Sequence, residues 1–339
     1  MSFRRKPCRS IVRTGRTYDG GMKHRWVYFF AAGGLFFLLA VFSDTARAGT
    51  LSGLRLWATV LVPSLLPFFV SAGLLTRLGV VRALGAVLSP ALGRALHLDQ
   101  NECAVFLLGL SGGYPLGAVS AGELVAAGQM KPSDAERLLR FCDNTGPAFA
   151  VGAVGAGVFR SPGLGFALWG IHAVSALLLG LMIRPRERPE DVPSPPEETF
   201  PLPGEALTRA VSSAVRSVIG IGGYVAFFSA LLAVAGEFGY PERAAVVLAE
   251  LTGADRAALR ALLTGILELS GGIGAMAGLS PTPGNLALAS FLLGWGGLCV
   301  HIQTAAVAAP AGIKTTGRGW GKLLHGALSA MISYILFSL

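Results

Sequence analysis

The chain has 339 residues, of which 53% are hydrophobic and only 14% charged, against roughly 25% charged in an ordinary soluble domain. Its mean hydropathy is +0.60, and its 46 glycines are about twice the usual share. These figures exclude a disordered chain, a coiled coil and a soluble two-domain enzyme, and point to an all-α polytopic membrane protein. The net charge of +9 is explained by Lys and Arg gathered in cytoplasmic loops, so no nucleic-acid partner is expected. The four cysteines and five histidines show neither CxxC nor any metal-ligand spacing, and no metal or cofactor is expected.

In chain order, residues 1–25 form a basic tail with eight Lys/Arg. The first apolar run, 26–43, reads as an uncleaved transmembrane helix. The alternative is a signal peptide cut near the A-x-A-like Ala46-Arg47-Ala48, and both leave residue 49 outside. A span at about 54–75 follows, then a mixed amphipathic stretch at 76–102. The apolar segment 103–128 is interrupted by Gly112-Gly113-Tyr114-Pro115, which no continuous helix carries at its centre, so it reads as a re-entrant hairpin. Spans at 141–159 and 164–183 close a first unit, 54–184. The Pro- and charge-rich stretch 185–209 is a cytoplasmic linker. A second unit, 210–339, holds spans at 211–236, 286–311 and 322–338 and a second broken segment, 260–279. The expected total is about eight transmembrane helices plus two re-entrant hairpins. With both hairpins re-entrant and the N-terminus cytoplasmic, 21 of the 28 Lys/Arg fall inside, Arg318 and Lys322 among them, and six outside. That bias is the positive-inside pattern.

The two broken segments are related. Leu108-Gly-Leu-Ser-Gly-Gly113 matches Leu267-Glu-Leu-Ser-Gly-Gly272 at one offset, which also aligns Phe68-Phe69 with Phe227-Phe228 and Asn144-Thr145 with Gln303-Thr304. In this layout the halves are inverted copies, the architecture of many secondary transporters, with substrate near the midplane at the helix breaks. Half-helix ends there present free N–H groups suited to an anion. The expected substrate site is therefore Ser111, Gly112, Gly113, Tyr114, Asn144, Thr145, Ser270, Gly271, Gly272, His301 and Gln303. Glu268, beside the second break, is the expected carrier of a coupling H⁺ or Na⁺, because intramembrane ionisable residues are costly. The bland alternatives are helix packing for the Ser-Gly-Gly strings and His301, an interfacial cap for Asp143-Asn144-Thr145, and a hairpin-tying hydrogen bond for Glu268.

Four strings, Ser111-Gly-Gly-Tyr-Pro-Leu-Gly117, Asn144-Thr-Gly-Pro147, Leu267-Glu-Leu-Ser-Gly-Gly272 and Phe291-Leu-Leu-Gly-Trp-Gly-Gly-Leu-Cys-Val-His-Ile-Gln303, together resemble the YlbJ-like (SpoVV-type) sporulation integral membrane proteins. These carry the nucleoside-recognition (Gate) domain. The resemblance runs from about residue 54 onward. It implies a role late in sporulation and transport of dipicolinic acid, a small aromatic dicarboxylate, across the outer forespore membrane towards the forespore. Two carboxylates would meet the half-helix ends and the ring would meet Tyr114 or Trp295. A nucleoside or nucleobase carrier and a non-transporting scaffold of spore assembly are the competing readings; either is compatible with an oligomer. No GxSxG, HExxH or Walker A motif is present, so no enzyme is expected.

Overall fold

The computed structural model describes residues 22–186 and 202–339. The tail to residue 21 and residues 187–201 of the expected linker lie outside them. Every regular element among the described residues is helical. The chain divides into two compact units, Met1–Ser43 and Asp44–Leu339. The first contains α1 (Met22–Val41), an apolar helix whose Trp26, Phe29, Phe30, Phe36 and Phe37 are exposed, as a lipid-facing segment requires.

A long helix, α2 (Ser43–Arg77), starts at the last residue of the first unit and supplies the opening helix of the second from Asp44. Its middle, Trp57–Leu61, widens into a π-turn just before Pro63. Pro63 and Pro67 lack the N–H that an α-helix needs; separately, Trp57 Nε1 donates to the Val218 carbonyl of the neighbouring helix at 2.8 Å. After α3 (Val80–Leu88) the chain enters the first hairpin, α4 (Gln100–Gly112) and α5 (Leu116–Ala126). A reciprocal cap starts α4: Asp99 Oδ1 accepts from Glu102 N at 2.7 Å, and Asp99 N donates to Glu102 Oε2 at 2.9 Å, satisfying two orphan donors. Arg137 pairs with the same Glu102 carboxylate from the short α6 (Pro132–Leu138). Gly113, at φ 81°, breaks the hairpin where the Gly-Gly-x-Pro pattern predicts.

The segment expected as one span at 141–159 differs. Residues 139–146 are non-helical, and winding resumes at Pro147 into the π-helix Ala148–Val158. The reason is the hairpin packed against it. An ideal Cβ on Gly109 would lie 1.7 Å from the Cys142 carbonyl oxygen, and one on Gly113 2.9 Å from Gly146 N. Backbone meets backbone there, and Pro147 cannot donate within a helix.

Then come α7 (Pro162–Met182), capped by Ser161, and α8 (Pro203–Glu237), which packs along α2. α9 (Glu242–Thr252) leads to the second hairpin, α10 (Arg256–Leu267) and the short α11 (Leu269–Gly274), interrupted at Glu268. The span expected at 286–311 is also broken. α12 (Pro283–Trp295) and α13 (Gly297–Ala308) meet at Gly296 and Gly297, both with positive φ (82° and 79°), a conformation that favours glycine. Finally α14 (Arg318–Ser338) packs along α12 and α7.

Four helical runs among the described residues are long and apolar enough to cross a membrane: Ser43–Arg77, Pro162–Met182, Pro203–Glu237 and Pro283–Ala311. The remaining expected spans are shorter, interrupted or more polar. Two charges counted as cytoplasmic are not loop charges at all: Arg318 and Lys322 are 1% and 0% exposed and belong to the protein interior. They drop out of the positive-inside tally.

Candidate functional site

The breaks converge. The hairpin tip Gly112-Gly113-Tyr114, the unwound Thr145-Gly146, the second break at Glu268-Leu269-Ser270, and Cys299, Val300 and Gln303 of α13 line one pocket of about 540 Å³, counting its open mouth. Leu61, Leu65 and Phe69 of α2, at successive helical turns, and Ile221 and Val225 of α8 complete an apolar wall. Of the expected site residues, Gly112, Gly113, Tyr114, Thr145, Ser270 and Gln303 line this space, as does Glu268. The others do not. Ser111 Oγ turns back to the Leu108 carbonyl at 3.4 Å. Asn144 Nδ2 donates to Phe141 O at 2.7 Å. Gly271 N donates to Glu268, Gly272 packs against Gly265, and His301 is held between Trp295 and Arg318.

Glu268 has a definite local task. Its carboxylate accepts from Ser270 N at 2.9 Å and Gly271 N at 2.5 Å. A buried anion at a helix start satisfies orphan N–H groups and opposes the peptide dipoles. The α11 end expected to receive a substrate carboxylate is thus already occupied by the chain's own. The Gln303 carboxamide, by contrast, reaches the pocket with its polar atoms unengaged by other side chains.

Behind the Tyr114 wall lies a buried polar network that sequence reasoning missed. Arg318 Nη2 pairs with Asp143 Oδ2 at 2.8 Å, and Thr304 Oγ1 donates to the same oxygen at 2.7 Å. Arg318 Nη1 lies 2.8 Å from His301 Nδ1, whose Nε2 is 3.1 Å from the Trp295 carbonyl. A carbonyl only accepts, so His301 carries its proton on Nε2 and accepts on Nδ1. Lys322 Nζ reaches three acceptors: Asp143 O at 2.9 Å, Asn144 Oδ1 at 3.1 Å and His325 Nδ1 at 3.1 Å. His325 Nε2 meets the His172 carbonyl at 3.0 Å, and the two imidazoles stack at 4.3 Å. His172 Nε2 accepts from Thr145 N at 3.2 Å. Thr145 and Tyr114 hydroxyls both donate to the Leu293 carbonyl, at 2.9 and 3.3 Å, tying the unwound segment and the first hairpin to the end of α12.

This network fixes the shape of the broken backbone. Non-helical chain at membrane depth survives only where protein or water satisfies it, and here Lys322 reaches the Asp143 carbonyl and two hydroxyls reach the Leu293 carbonyl near the end of α12. Arg318 and Lys322 also sit over the Tyr114 ring, 5.8 and 5.3 Å from its centroid, within cation–π range. Two basic groups face one carboxylate, so with Lys322 protonated and the histidines neutral the network would hold one excess positive charge. The signal that could have found it is the spacing 318, 322, 325, which puts three polar groups on one face of an apolar helix.

No family model matches the chain. It is similar to the sporulation integral membrane protein YlbJ of Bacillus subtilis (strain 168), with 28% identity over 317 residues, 84% of this chain and 76% of the relative. Its fold is that of the solved structure of a double-substituted CNTnw in an outward-facing state, with a TM-score of 0.58 at 16% identity, covering 94% of this chain and 85% of the other. The expected resemblance to a YlbJ-like protein is thereby shown, and the chain is an all-helical integral membrane protein that shares its fold with CNTnw.

Proposed function

We propose that this protein transports a small organic anion through the pocket between its broken segments, acting in sporulation, with dipicolinate moving towards the forespore as the best-fitting cargo. The observation that carries the reading is the placement of two basic groups, Arg318 and Lys322, with the single carboxylate of Asp143 directly behind the Tyr114 ring that walls the pocket. In a water-poor interior such a charge acts with little screening and favours an anion over a neutral solute. The apolar lining and Tyr114 suit a flat ring, and Gln303 supplies donors for a carboxylate. The likeness to YlbJ supports the sporulation setting. In this reading the two halves are inverted copies, the N-terminus is cytoplasmic and the membrane is the outer forespore membrane.

Uptake of radiolabelled dipicolinate into proteoliposomes tests it. Ser270→Leu fills the pocket and is expected to reduce uptake at least tenfold, whereas Ser111→Leu, at a position outside the lining, leaves most of it. Uptake unimpaired by Ser270→Leu in well-folded protein contradicts the pocket assignment. A second reading, nucleoside transport, is favoured by one observation: the fold is shared with CNTnw, a nucleoside transporter. Competition of uptake by uridine and not by dicarboxylates would select it.

A further inference from the structure

The polar network behind the pocket contains a bond with an unusual property. Lys322 Nζ and His325 Nδ1 are both nitrogens, 3.1 Å apart, and either can carry the proton between them. With the proton on Lys322, Nζ donates to Asp143 O, Asn144 Oδ1 and His325 Nδ1, using all three ammonium hydrogens. With the proton passed to His325, the imidazolium donates from Nδ1 to the Lys322 amine and from Nε2 to the His172 carbonyl. Every other bond survives in both forms. Glu268, the expected proton carrier, is engaged by two backbone N–H groups and shares no proton with a second side chain.

The charges around the pair are few. The unwound segment brings Asp143, Cys142 and Arg140, the last against Gly317 and Gly321. From α7 comes only His172, with its Nδ1 buried and unpartnered. From α13 comes His301, through Arg318; α12, the helix packed most extensively on α14, carries no titratable side chain. Arg318 lies one turn before Lys322 on α14, and Tyr114 faces both. Among these groups nothing balances the second cation. Two events remove the excess: an anion entering the pocket across the Tyr114 ring, or a proton leaving the network for water.

We propose that Lys322 and His325 form a shared proton-binding site that couples anion transport to H⁺. The step balances simply. Breaking one N–H bond releases one proton to the water of the open pocket and leaves a neutral amine–imidazole pair, so the network falls from one net positive charge to none. The bound anion and the proton stabilise each other, and by linkage each raises the affinity for the other by the same factor. The cargo therefore travels with a proton. The proposal rests on the organic-anion reading for its cargo; the proton site itself does not depend on it.

Two measurements separate the two. In ligand-free protein carrying ¹⁵N-labelled histidine, NMR from about pH 5.5 to about pH 9 should show the His325 ring signals shifting in wild type and remaining fixed in Lys322→Arg, which holds the charge permanently. Wild-type His325 signals that stay constant across this range overturn the proposal, whatever the variant does. In binding titrations with dipicolinate, wild-type affinity should fall towards about tenfold per pH unit on the alkaline side, the slope of a one-proton linkage, and Lys322→Arg should flatten it. Binding that is independent of pH in wild type also overturns it. If dipicolinate fails to bind, the organic-anion reading fails and the histidine titration still decides the proton site.

Discussion

Asp143→Asn is expected to destabilise the folded protein by about 3–5 kcal/mol, the usual cost of removing one partner from a buried ion pair. Asp143 is 0% exposed and its Oδ2 accepts from both Arg318 and Thr304. With the carboxylate gone, two buried cations face each other with no counter-charge, and the carbonyls of the unwound segment lose the geometry that Lys322 requires. Adding Arg318→Met should recover a large part of the loss, because the double variant leaves only Lys322 charged. The double-mutant cycle therefore yields a coupling energy well above the 0.3–0.5 kcal/mol (roughly) expected of independent sites. Denaturation of the four purified proteins measures it. Additive losses would show that Asp143 and Arg318 are not a functional pair.

The second large effect is steric. Gly109→Ala should cost about 3 kcal/mol or more, the upper range of overpacking, because its Cβ would sit 1.7 Å from the Cys142 carbonyl oxygen, which is backbone and cannot rotate away. The hairpin would have to lift off residues 140–147 and carry Gly113 and Tyr114 out of the pocket wall. Gly122→Ala on α5 is the matched control. Its nearest neighbour would be Ala311 Cβ at 3.8 Å, an ordinary contact, and the helix gains roughly 0.5–1 kcal/mol from the better propensity of alanine. Thermal unfolding of both variants checks the contrast; equal midpoints would show that the hairpin does not approach the unwound segment so closely.

The reach of the sequence depended on whether a signal was local. The Gly112-Gly113-Tyr114-Pro115 break is written in residues that cannot continue a helix, and the helical, membrane-spanning class follows from composition; the second break falls at Glu268, and the Ser270-Gly271-Gly272 string itself winds into α11. The unwinding of residues 139–146 is harder to see. Asn144-Thr-Gly-Pro147 disfavours a helix locally but sits inside a long apolar run, and the glycine face of another element, Gly109 and Gly113, packs against the unwound chain there. The break at Gly296-Gly297 was visible as a dipeptide but sat inside a long apolar run. Arg318 and Lys322 were read as loop charges because they follow the polar stretch 312–317. Their burial is decided by Asp143 and Asn144, more than 170 positions away in sequence. Glu268 was singled out correctly as a buried acid, yet its bonds are to N–H groups two and three residues ahead. Ser111, Asn144, Gly271, Gly272 and His301 are near the pocket in sequence but outside its lining: Ser111, Asn144, Gly271 and Gly272 meet neighbours close in sequence, and His301 meets Arg318 behind the wall.

The claim that the pocket between the breaks holds an organic anion is tested most directly by ligand-induced thermal stabilisation of the purified protein. The panel is dipicolinate, its monocarboxylate analogue, citrate, uridine and adenosine, applied to wild type and Ser270→Leu. A ligand at 100 times its Kd should add about 2.7 kcal/mol. The account predicts a selective shift with dipicolinate, a weaker one with the monocarboxylate, and loss of both in Ser270→Leu. Stabilisation by the nucleosides alone, or by none of the five, would contradict it.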